Sequence, residues 1–64
     1  MNAKTTAGRI MRLYETNADF RTRVASSPEP FRAMIYECGL VNNVAEIDGT
    51  AAYVELVDEI EKLV

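Results

Sequence analysis

Four carboxylates crowd one stretch near the end of the chain: Glu55, Asp58, Glu59 and Glu61 within YVELVDEIEKLV. Asp58 and Glu61 stand three apart, so on a helix they share a face. Two chemistries suit such a pair. As general acid and base they could cleave a glycosidic bond, but that work needs a cleft that separates them and desolvates one. As solvated charges they would draw a basic protein surface towards them. A chain of 64 residues has little room for a cleft, which favours the second reading.

The other residue types that carry chemistry are sparse. There is no histidine, and Cys38 is the single cysteine. A disulfide within the chain, a cysteine–histidine metal site and the usual nucleophile–base pairs are therefore all excluded. Cys38 falls on an apolar helical stripe beside Glu37. That suits a small buried hydrophobe better than a reactive thiol, which needs a basic or polar neighbourhood. Glycine-rich phosphate loops and calcium-loop spacings are missing too. The expectation is a protein that is not an enzyme and takes no cofactor and no metal.

The formal net charge of −3 is unevenly spread. Residues 1–32 hold six bases (Lys4, Arg9, Arg12, Arg21, Arg23, Arg32) against Glu15, Asp19 and Glu29. Residues 33–64 hold Lys62 against seven acids: Glu37, Glu46, Asp48 and the four named above. Either the basic half lies against the acidic last helix, or an acidic face is offered to a basic partner. Nucleic acid is not expected as a partner. A recognition helix would need polar base-reading side chains and basic flanks, and the second helix offers only Arg32. No apolar run is long enough to span a bilayer and no charged-then-apolar leader begins the chain, so a cytoplasmic protein without membrane attachment is expected.

The elements that would position these groups read as all-α: one domain over 1–64, with three main helices and a short helical turn. The clearest is SPEPFRAMIYECGL, residues 27–40. Ser27 is expected to cap it and Pro28 to take the first helical position. Phe31, Met34, Ile35 and Cys38 form one stripe at i, i+3, i+4 and i+7. Gly39 stops it in the left-handed conformation, with Leu40 packing back on Ile35. Upstream, residues 1–4 are expected to fray, and Thr5 or Thr6 to cap a helix over about 6–25. Its inner stripe is Ile10, Leu13, Tyr14, Phe20 and Val24, with a break near Asn17. Downstream, Asn43 and Glu46 resemble a capping pair for a turn that points Val44 and Ile47 inward. Thr50 then caps a helix over 51–63 whose stripe is Tyr53, Leu56, Val57, Ile60, Leu63 and Val64. Phe31, Met34, Ile35, Phe20, Leu13 and Ile60 are the expected core.

Met11, Tyr36 and Val54 lie off these stripes. With Glu55, Asp58, Glu59 and Glu61 they make up the candidate partner-binding residues. The last helix is open to two roles. Its stripe could be spent inside the domain, or it could lie in a partner's groove or pair with its own copy.

One further set of residues runs from 13 to 40: Leu13, Asp19, Phe20–Arg21, Val24, Pro28–Glu29, Phe31, Ala33, Met34, Glu37 and Gly39–Leu40. In these the chain resembles the nitrogen-fixation-type leader domains, helical leaders of ribosomally made, modified peptides and related small stand-alone proteins. The chain departs from such leaders after Gly49, where an amphipathic helix stands in place of a core rich in Cys, Ser or Thr. A fainter likeness is to small helical subunits of ring-cleaving dioxygenases. The resemblance implies a leader-like recognition domain that docks on a larger protein or enzyme. Two alternatives stay open: a small regulator or inhibitor, of phage origin among other sources, that blocks a host protein, and an accessory subunit of an enzyme complex. The expected partner is a protein with a basic surface, and a homo-oligomer is not excluded.

Overall fold

Asn17 divides in two the helix expected over about 6–25. In the computed structural model, which describes residues 2–64, the helices are α1 (Ala3–Thr16), α2 (Ala18–Ala25), α3 (Pro30–Glu37), α4 (Ala45–Asp48) and α5 (Ala51–Leu63). The fold is all-α, with no strand among the described residues. The expected first helix is α1 and α2, because Asn17 takes an extended conformation (φ −120°, ψ 107°) and caps both. Its backbone N–H closes α1 on Leu13 O, and its Oδ1 accepts from Phe20 N at 3.0 Å to open α2.

Two helix starts differ from expectation. The first falls at Ala3: Asn2 Oδ1 accepts from Thr5 N at 3.1 Å, so Asn2 caps, neither Thr5 nor Thr6 does, and residues 3 and 4 are helical. Residue 1 lies outside the described residues. The second start falls at Pro30, two residues later than the Ser27–Pro28 register requires. The reason is the residue before a proline. Pro30 disfavours the α region at Glu29, which sits at φ −128°, ψ 78°. Ser27 instead accepts from Glu29 N at 3.2 Å within the bend, and Pro30 takes the first helical position where its missing N–H costs nothing.

The end of α3 follows the sequence closely. Gly39 has φ 87°, Leu40 N donates to Ile35 O at 3.3 Å, and Gly39 N donates to Tyr36 O at 3.1 Å. This is a Schellman ending. The side chain of Leu40, however, does not fill the core: it is 39 % exposed, and Val41 is the residue that turns in and is buried. The turn before α4 carries two side-chain bonds, Asn43 Oδ1 accepting from Ala45 N (2.9 Å) and Glu46 Oε2 from Asn42 N (3.1 Å), but not the capping pair expected of Asn43 and Glu46: Val44 stands at the cap of α4 with no side-chain bond. Val44 packs against the core and Ile47 is buried in it, as expected. Thr50 stands at the cap of α5, but through backbone geometry alone.

One apolar cluster joins the helices: Ala7 and Ile10 of α1, Phe20 and Val24 of α2, Met34 and Ile35 of α3, then Val41, Ile47, Leu56, Val57 and Ile60. Each fully buried aliphatic or aromatic side chain contributes roughly 1.5–3 kcal/mol. Phe31 and Leu13, expected in the core, are only partly buried against it. Phe31 sits in the first turn of α3 beside exposed Pro30, at the edge of the bundle. The stripe of α5 ends at Ile60, since Leu63 and Val64 are exposed. The broadest helix contact is α1 on α5. Ala3 and Ala7, both buried, present so little side chain that the two backbones can approach closely.

Candidate partner-binding surface

The four α5 carboxylates divide by environment. Glu59 is half-buried and accepts from Lys62 Nζ at 3.0 Å, a pair that raises the pKa of Lys62 above its usual value, chiefly through that hydrogen bond. Glu55, Asp58 and Glu61 are exposed and, among the described residues, enter no ion pair. Val54, 40 % exposed, precedes Asp58 and Glu61 at i, i+4 and i+7, so the three make one wet stripe of α5 with Glu55 beside it.

Three bases of the first half are committed elsewhere. Arg23 Nε pairs with Glu37 at 3.0 Å. Arg32 Nη2 pairs with Asp48 at 2.9 Å and stands 3.8 Å from Glu29. The hydrogen bond from Arg32 to Asp48 is the main cause of its raised pKa, and the fields of Glu29 and Glu61 add to it. Arg21 is structural. Its Nη1 donates to the carbonyls of Tyr14 (3.0 Å) and Glu15 (2.9 Å), two of the acceptors that the end of α1 leaves free. Nothing in the sequence marks this role, since it needs the turn at Asn17 to fold α2 back. Bases from the first half thus meet acids of the second at Glu37 and Asp48, while the exposed carboxylates of α5 stay open to solvent.

The other candidates do not form one patch with this stripe. Tyr36 is 43 % exposed on the outside of α3. Met11 is only partly exposed, against the core, in an apolar recess with Tyr14, Val24, Phe31 and Met34. It offers a partner little surface. The apolar stripe of α5 is spent inside the domain, because Leu56, Val57 and Ile60 are buried. Of the two roles left open for α5, this is the first: offering Leu56, Val57 and Ile60 to a partner's groove or a second copy would empty the core.

Cys38 is half-buried, and its Sγ–H donates to Ile35 O at 3.2 Å. Burial raises the thiol pKa above its usual 9.0, which keeps it protonated and a poor nucleophile near neutrality. It lies in the wall of a groove that sequence reasoning missed. Thr6, Arg9, Ile10 and Leu13 of α1, Cys38 and Leu40 from the end of α3, and Tyr53 of α5 enclose about 490 Å³. Three separated segments build it, so no local pattern announces it. No helix among the described residues is long and apolar enough to cross a membrane. Compared with protein-family models, with curated proteins and with solved structures, the chain finds no match.

Proposed function

We propose that this chain is a non-catalytic docking module that binds a basic surface of a larger protein or enzyme, in the manner of a leader-like recognition domain in the cytoplasm. The observation that carries the reading is the exposed stripe of α5. Glu55, Asp58 and Glu61 stand beside Val54 and enter no ion pair among the described residues, while Leu56, Val57 and Ile60 of the same helix are spent on folding. A preformed helix with one wet, acidic face presents its charges to a partner without the cost of ordering the backbone at the moment of binding. Such charges speed encounter and select partners more than they add affinity.

The test is affinity capture from the native host with the intact chain and with the triple variant Glu55→Lys, Asp58→Lys, Glu61→Lys. All three side chains are exposed, so helix content by circular dichroism should match the parent. The expected result is a partner recovered by the parent, lost by the variant, and released as salt rises, because exposed charges are screened over about 8 Å at physiological ionic strength. Equal recovery by both chains, or turnover of a substrate by the purified chain alone, would overturn the proposal.

A further inference from the structure

The groove between α1, the end of α3 and the start of α5 is a second surface, on other residues and of opposite charge. Its floor is apolar: Ile10, Leu13, Leu40 and the ring of Tyr53, with Cys38 in the wall. Two bonds hold it in shape before anything binds. The Schellman ending fixes Leu40 through its N–H to Ile35 O, and Tyr53 Oη donates to Leu40 O at 3.2 Å. With its hydroxyl satisfied, the Tyr53 ring is free to act as an apolar wall. Leu40, kept 39 % exposed on a rigid backbone, is costly to leave in water and cheap to cover.

Charge decides what covers it. Arg9 is the one side chain on the lip that is charged at neutral pH, and no carboxylate lines the groove. Arg12 follows three residues later on the exposed side of α1, but it lines a separate depression with Glu15. Neither arginine enters an ion pair among the described residues, although the chain as a whole is acidic. An apolar floor with an uncompensated basic lip is complementary to apolar side chains bordered by carboxylates. The groove is open to solvent along one side, which suits a chain segment lying across it better than an enclosed small molecule. We propose that this groove docks an amphipathic segment of another protein, with its apolar side chains on Ile10, Leu13, Leu40 and Tyr53 and its carboxylates against Arg9.

The experiment uses the full chain, isotope-labelled for amide NMR, and two synthetic helical peptides that share one leucine stripe. One carries glutamates on its flanks and the other lysines. The glutamate peptide should shift the amides of Ile10, Leu13, Leu40 and Tyr53, and should bind about tenfold more tightly than the lysine peptide. Leu40→Asp should weaken it by about tenfold. Arg9→Glu should weaken it less but flatten its dependence on salt. Both positions are exposed, so the variants should keep the parent spectrum away from the groove. The proposal falls if neither peptide binds, or if the shifts map to Asp58 and Glu61 instead. It falls equally if the lysine peptide binds as well, if laurate takes the same residues more tightly than the peptide, or if the groove is covered by a second copy as concentration rises. The α5 variant leaves Arg9 and Leu40 untouched, so failure here and failure of the docking face on α5 are separate results.

Discussion

Replacing Asn17 with alanine should destabilise the domain by about 1–2 kcal/mol, although the residue is exposed. Two consequences add up. The bond from Phe20 N to Asn17 Oδ1 at 3.0 Å is lost, and N-cap replacement by alanine typically costs about 0.5–2 kcal/mol. The bond is half-buried and Phe20 itself is fully buried, so its N–H cannot simply turn to water, which places the cost in the upper part of that range. Alanine also favours helical dihedrals at position 17, and a continuous α1–α2 helix would carry Arg21 away from the carbonyls of Tyr14 and Glu15. A domain of this length has a total stability of roughly 3–10 kcal/mol. At about 4–8 °C per kcal/mol, the melting temperature should fall by roughly 4–16 °C. Urea and thermal denaturation followed by far-ultraviolet circular dichroism measure it, with Asn17→Asp as the control that keeps an acceptor and should lie close to the parent. An Asn17→Ala chain that is as stable as the parent and more helical would refute the reasoning, since it would mean that one long helix packs as well as two.

Two glycines should respond in opposite directions to alanine. Gly8 lies inside α1 with open space where a Cβ would stand, so Gly8→Ala should stabilise by about 0.5–1 kcal/mol. Gly39 also has open space, but at φ 87° Gly39→Ala should cost about 1–2 kcal/mol, and the same urea titrations read both. Burial raises the Cys38 pKa above 9.0, so folding favours the neutral thiol. Its contribution is complete below pH 9.0 and fades as pH rises through the folded-state value. The stability difference between parent and Cys38→Ala should therefore shrink as the pH is raised from neutral through that range; a constant difference would show that the thiol is not desolvated.

Sequence alone determined the grammar of this chain. Gly39 in the left-handed region, the stripe Met34–Ile35, the break at Asn17, the inward Ile47 and the start of α5 after Thr50 all follow from local rules: capping chemistry, glycine's missing Cβ and helical periodicity. Where several local signals competed within a few residues, the reading slipped. Ser27–Pro28 spells a helix start, but the steric effect of Pro30 on the residue before it delays the helix to Pro30. Tertiary structure decided what depends on distance across the fold. That Arg21 closes α1, that Ala7 rather than Leu13 is fully buried, and that Val41 replaces Leu40 in the core are consequences of how helices approach one another, which no local window encodes. The same holds for charge. The sequence counts seven acids in its second half, but only the packed chain shows that Glu37, Asp48 and Glu59 meet bases while Glu55, Asp58 and Glu61 do not. A cap is a contact between neighbours in the chain. A groove or an uncompensated charge is a statement about everything else that folds nearby.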